Sequence, residues 1–155
     1  MPLYTAPRIS ILGASAVAVS GAADTNENTL ATITIPAGAM GLNGILRVYS
    51  NWSFTNSANT KTLRYRLGGI GGTVYFQTAQ TTQAWYADFR IISNRGATNS
   101  QVGPQNSAQF GSGSGSPATS TIDTSAATTL VITGQKGLAG DTLTLESYLC
   151  ELILP

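Results

Sequence analysis

Histidine is absent from this sequence, cysteine occurs once, and charged residues make up only 10% of its 155 positions. Without histidine, no imidazole can act as a general base or ligate a metal ion. The single cysteine, Cys150, excludes an intrachain disulfide, a zinc-thiolate cluster and a Cys–His dyad. These absences remove the commonest catalytic and metal-binding chemistries.

Charge and hydropathy exclude two further classes of partner. The formal net charge of +1 is too small to favour a nucleic acid or an anionic membrane surface. No apolar run approaches the roughly 18 residues that a membrane-spanning helix needs, and we expect no signal peptide because no charged segment leads into an apolar run. The sequence therefore predicts neither nucleic acid nor membrane as a partner.

The seven carboxylates do not form a catalytic pattern. A glycosidase needs two of them facing each other across a cleft, whereas these are predicted to lie in turns, at strand ends or on opposite faces of the last strand. We expect no enzymatic activity, no catalytic residue, no cofactor and no metal site.

Small polar residues fill the place of the missing charges. The chain has 21 Thr, 15 Ser, 9 Asn and 7 Gln, about a third of its length, together with 17 Gly. Threonine fits a pleated, half-buried surface, and Gly, Asn and Ser supply turns. The composition therefore predicts an all-β protein.

Hydrophobic alternation with a period of two indicates where the strands lie. It is clearest at residues 30–35, 45–54 and 62–67, and roughly nine or ten such segments follow one another at intervals of about 8–15 residues. This spacing is typical of an antiparallel β sandwich or barrel. We predict a jelly-roll-like sandwich, with an immunoglobulin-like sandwich as the alternative.

The domain organisation is predicted to be simple. Residues 1–14, which include Pro2 and Pro7, read as an extended N-terminal arm, and residues 15–155 as a single β-sandwich domain. The Gly/Ser segment 111–117 reads as a loop and not as a linker, because the strand pattern resumes directly after it.

Two segments have more apolar residues than a single sandwich can cover. Residues 148–154 are apolar on both faces, although a sandwich strand has only one face on its own core, and the arm is too apolar for a solvated tail. We predict that both segments pack against a symmetry-related subunit or another partner surface; the alternative is that the arm covers this face within the chain. The predicted interface residues are Leu3, Tyr4, Ile9, Ile11, Leu12, Tyr148, Cys150, Leu152 and Leu154. Glu151 interrupts the apolar residues of the opposite face, so we expect it either to lie beyond the edge of the core or to pair with an arginine, which the sharper hypothesis places in another subunit.

Aromatic residues permit two interpretations. Trp52 and Trp85 share strand faces with apolar residues, so we predict that both belong to the core; exposed, they would be candidate platforms for a sugar. Tyr49, Tyr86 and Tyr148 lie on the opposite faces and are candidate interface residues.

Several sequence motifs resemble a family of small proteins of tailed bacteriophages. Residues 27–69 contain TLATITIPAG, then NGILR, then WSFTNSANTKTLRYR, and the later stretches RGATNSQVG and DTLTLESYLCELI extend the similarity to most of residues 20–154. The resemblance implies a jelly-roll virion component and a symmetric, often trimeric, assembly. It implies no catalytic residues.

The function predicted from these observations is that of a bacteriophage virion structural protein. We expect a capsid decoration, or cement, protein on the particle surface, made in the host cytoplasm. It would form a homotrimer or, as second choice, a dimer, and contact the major capsid protein or other virion proteins. The alternatives are a tail- or head-fibre receptor-binding domain that recognises host surface glycan, and a non-viral carbohydrate-binding module.

Overall fold

A computed structural model describes residues 6–107 and 113–155 of the chain. Leu3, Tyr4 and the first two residues of the predicted 111–117 loop lie outside these ranges. The described residues form eleven strands and no helix. The strands are β1 (Arg8–Ser15), β2 (Val19–Ser20), β3 (Glu27–Ile35), β4 (Ile45–Phe54), β5 (Lys61–Leu67), β6 (Thr73–Gln80), β7 (Trp85–Asn94), β8 (Gln101–Gly103), β9 (Ala118–Ser120), β10 (Thr128–Lys136) and β11 (Leu143–Leu154).

The strands pair into two antiparallel sheets. The first sheet has the order β1-β11-β4-β7-β8-β9, with β2 also paired to β11, and the second has the order β3-β10-β5-β6. The eight long strands thus form two four-stranded sheets in which β1 pairs with β11 and β3 with β10, the arrangement of a jelly roll. The predicted sandwich is confirmed, and this strand order shows that the immunoglobulin-like alternative is wrong.

The core lies between the sheets and follows the predicted alternation in β4. Leu46, Val48 and Trp52 are fully buried and Phe54 is nearly so. The Trp52 indole N–H donates a hydrogen bond of 2.6 Å to Ser50 Oγ, which satisfies its one polar atom inside the core.

The N-terminal segment corrects the predicted domain boundary. Residues 8–15 are the edge strand β1, whose Arg8 pairs with Leu154 and Ser15 with Tyr148, with a bulge near Leu12. The edge of β11 would otherwise present unpaired backbone groups to solvent. Residues 8–14 therefore lie within the sandwich and are not an arm outside it.

Candidate functional site

The outward surface of the first sheet is the main candidate site. We call it the outer face; it consists of the side chains of β1, β11, β4 and β7 that point away from the second sheet. Strand register sets these side chains in rows across the four strands. Three successive rows, which we call the apolar half, are Ile9–Ile153–Ile45–Ser93, Ile11–Glu151–Arg47–Ile91 and Ala14–Leu149–Tyr49–Phe89.

Several large apolar side chains of the apolar half are open to solvent. Ile9 is 58% exposed and Ile11 is 67% exposed, while Tyr49 and Ile91 are each above a third. The rings of Tyr49 and Phe89 pack with centroids 4.7 Å apart. An apolar surface that is open to solvent in this way is a candidate interaction site.

One ion pair lies in the middle of the apolar half. Arg47 Nη2 is 2.9 Å from Glu151 Oε2. Glu151 therefore pairs with an arginine of its own chain and not with one of another subunit, which corrects that prediction. The pair is partly shielded, with side chains 29% and 17% exposed. Arg47 Nε is hidden from solvent and has no hydrogen-bond acceptor among the described residues. The charges are thus neutralised locally, and one donor remains unsatisfied.

The inward and outward faces of β7 are the reverse of those that its sequence pattern predicts. Its polar side chains Asp88 and Arg90 point inward, 3.1 Å apart and 3% and 2% exposed, and the Arg90 guanidinium lies 4.6 Å from the centre of the Phe76 ring. Its apolar set, Trp85, Ala87, Phe89 and Ile91, points outward on the outer face. The prediction that Trp85 is a core residue is wrong, since 70% of it is exposed.

Burial of the inward pair perturbs a carboxylate. Desolvation raises the pKa of Asp88 to about 6, although the neighbouring Arg90 opposes the rise. Next to it, the hydroxyls of Ser50 and Tyr65 are hydrogen-bonded to each other. Burial raises the pKa of Tyr65 well above its ordinary value. The side chains of this inner cluster, Ser50, Tyr65, Asp88 and Arg90, are buried and paired with one another. This arrangement indicates a structural role.

A β-bulge reverses the two faces of β11. Its pairing with β4 shifts between Leu145 and Ser147, so Glu146 is an extra residue and the alternation changes parity beyond it. Cys150 is fully buried and Leu152 is 3% exposed, both in the core. Their predicted place in an interface is therefore wrong. Burial raises the pKa of the Cys150 thiol to about 12, so it is not a reactive thiolate.

The remaining predicted interface residues divide between the two sides of the sheet. Ile9 and Ile11 lie on the outer face. Other predicted residues are half-buried, pack against the core and do not join that face, which corrects their assignment: Leu12, Tyr86, Tyr148 and Leu154. The outward residues that sequence reasoning missed are those that share the outer face with Ile9 and Ile11: Ile45, Phe89, Ile91, Leu149 and Ile153. The sequence signal for Leu149 and Ile153 was present, because residues 148–154 are apolar on both faces.

Beyond the apolar half, the outer face becomes polar and dips inward. The next row is Ser147–Asn51–Ala87, followed by Thr144–Ser53–Trp85. The small side chains of the first row leave a depression of about 290 Å³, which we call the notch. Its lining includes Tyr49, Asn51, Ala87, Ser147 and Leu149.

Neither a metal centre nor a membrane span is evident in the part of the chain that the structure describes. Within residues 6–107 and 113–155, no three residues of the types Cys, Asp and Glu are grouped so that they could hold a metal ion. The same ranges contain no helix long and apolar enough to cross a membrane.

Comparisons with known proteins find similarity only among solved structures. No family model and no curated protein matches the chain. A structure of infectious bursal disease virus, Gx strain, has 14% identity and a TM-score of 0.49 over 96% of this chain and 32% of that one. The infectious bursal disease virus VP2 subviral particle has 12% identity and a TM-score of 0.40 over 96% of this chain and 33% of that one. The CBM2 module of the evolved Dit of Lactobacillus casei BL23 phage J-1 has 14% identity and a TM-score of 0.36 over 79% and 68%. The chain thus spans about a third of the two infectious bursal disease virus chains that it matches.

Proposed function

We propose that this chain is a virion structural subunit of a tailed bacteriophage, and specifically a decoration protein that stabilises the capsid through symmetric contacts between its copies. The observation that carries the proposal is the apolar half of the outer face. Because the jelly roll exposes isoleucines beside a neutralised ion pair, we expect another subunit to cover this surface in the assembly. The motif resemblance at residues 27–69 supports a virion as the setting.

The size of the apolar half suits contact with another subunit. Four strands about 4.8 Å apart, each with about five residues rising about 3.3 Å, give a face of roughly 19 by 17 Å, or roughly 300 Å² in projection. The largest apolar patch of a protein is often of this size and often functional. Burying each Ile or Leu contributes about 1.5–3 kcal/mol. Several such residues therefore offset a substantial part of the entropy that association costs.

The occupant we propose is a second copy of this chain, in a three-fold assembly first and a two-fold assembly second. Arg47 and Glu151 already neutralise each other, so covering them buries no unpaired charge. The unsatisfied Arg47 Nε donor would gain an acceptor from a neighbouring subunit after a small rotation of its side chain. The capsid surface would then be met by other parts of the oligomer.

Light scattering on the purified protein tests the assembly. We expect an oligomer at micromolar concentration, a monomer for Ile11→Asp, and an unchanged oligomer for Thr32→Asp. Thr32 is the matched control because it is exposed on the outward side of β3, in the second sheet. A wild-type protein that is monomeric and also fails to bind purified capsids would contradict the proposal.

A fibre domain that binds host glycan is the second candidate, and the exposed Trp85 favours it. The number of copies in the purified particle separates the two roles. Hundreds of copies would support decoration, and a few copies would support a fibre or tail location.

A further inference from the structure

We propose that Trp85 and the notch form a binding subsite for an uncharged saccharide. Among the exposed large hydrophobic residues that the structure describes, Trp85 is the most exposed aromatic one, at 70%. It lies on the outer face beyond the apolar half, directly across from Ser53. An indole left in water at a strand end offers one flat apolar surface to a ligand.

The notch beside Trp85 supplies space and polar groups. Ala87 follows Trp85 on the same face of β7, and its methyl group is too small to fill the position that Phe89 fills in the next row. Asn51 pairs with both Ala87 and Ser147, so an exposed amide and a hydroxyl lie across the same row. The resulting depression of about 290 Å³ is at the small end of ligand sites, the size for one or two sugar rings.

A carboxylate completes this set of polar groups. Ser53 donates a hydrogen bond to the Glu146 carboxylate, which the β-bulge in β11 places next to the row of Trp85. A pyranose ring has one face of C–H groups, which stack on an indole, and a rim of hydroxyls. Those hydroxyls donate to carboxylates and both donate to and accept from amides. Trp85, Asn51, Ser147 and Glu146 therefore match both parts of a sugar.

Charge selects among sugars. None of the described residues that line the notch is basic; the lining includes Asp88, which is paired with Arg90, and the acidic Glu146 lies next to the notch, bonded to Ser53. An anionic sugar would meet a carboxylate without a cation to balance it, which disfavours binding. The expected ligand is therefore a neutral hexose or N-acetylhexosamine, free or at the end of an oligosaccharide.

This proposal rests on the proposed function in one respect, which is that a subunit on the particle surface would meet the sugars of a host cell. The binding of a soluble sugar can be measured without the particle. The probes are an array of neutral and acidic oligosaccharides, followed by titration of the intact protein with the best neutral sugar. We expect binding to neutral sugars, and at least tenfold weaker binding for both Trp85→Ala and Asn51→Ala. Leu138→Ala is the matched control, because Leu138 is 50% exposed but lies in the loop between β10 and β11; its affinity should equal that of the wild type.

Light scattering on Trp85→Ala separates this proposal from the assembly proposal. An unchanged oligomer with lost sugar binding supports the subsite. Dissociation of the Trp85→Ala oligomer would overturn it and make Trp85 a subunit contact. An array without neutral-sugar binding, a preference for acidic sugars, or full affinity in Trp85→Ala would also overturn it. A wild-type protein that is monomeric yet binds neutral sugars through Trp85 would contradict only the assembly.

Discussion

The two tryptophans of this chain occupy opposite environments, and this gives a matched test of the core. Trp52 is fully buried with a hydrogen-bonded indole N–H, whereas Trp85 is 70% exposed. We expect Trp52→Ala to lower the free energy of unfolding by about 3–5 kcal/mol, and Trp85→Ala to change it by less than about 0.5 kcal/mol. Denaturant unfolding curves measure both. Equal losses in the two variants would mean that Trp85 also packs against its own chain.

At the same scale, Asp88 should make stability depend on pH. Burial raises its pKa to about 6 in the folded protein, above about 3.9 in the unfolded chain. The unfolded state then binds fewer protons between these values, so stability falls as pH rises. The sequence has no histidine, so few other side chains titrate between about pH 5 and 7.

The comparison with Asp88→Asn isolates this effect. Relative to that variant, the wild type should gain stability as pH falls from about 7 to 5, by about 1 kcal/mol. Thermal or denaturant unfolding across this window provides the measurement. If the two proteins follow parallel curves, the Asp88 carboxylate keeps one protonation state throughout.

At the scale of the strand, neighbouring residues of β11 test the reversal caused by the bulge. Leu152 points into the core and Ile153 onto the outer face. Leu152→Asp should prevent folding, because it places a charge among apolar side chains. Ile153→Asp should leave the fold intact and weaken the oligomer. Circular dichroism and light scattering report the two properties. The reverse result, an unfolded Ile153→Asp and a folded Leu152→Asp, would mean that the parity does not change at Glu146.

The same strands show how far the sequence alone could predict the site. Hydrophobic alternation with a period of two indicates which residues share a face, and it located β3, β4 and β5 correctly. It does not state which face is inside. In β7 the apolar face is the outer one, because the polar Asp88 and Arg90 neutralise each other inside. In β11 one bulged residue reversed the faces, and no residue type marks it. Knowledge of the pairing register was needed for both.

At the scale of the whole molecule, the jelly roll joins the two ends of the described chain. β1 and β11 are neighbours at one edge of the first sheet, and Leu12 of β1 packs against the core. Removing β1 would expose the edge of β11, including the backbone beside Cys150 and Leu152, as an unpaired strand that invites aggregation. Residues 8–15 therefore belong to the folding unit as well as to the proposed interface.

Deleting residues 1–15 separates these two roles. We expect the truncated protein to aggregate or to unfold at a clearly lower denaturant concentration, because it loses both strand pairing and the packing of Leu12. The matched control is the double variant Ile9→Ser, Ile11→Ser, which keeps the backbone pairing of β1 and removes only outward apolar groups. It should remain folded, with a denaturation midpoint near that of the wild-type monomer, and should lose only the oligomer. A truncated protein that stays soluble with wild-type stability would show that β1 is a detachable arm, and the sandwich would then begin at β2.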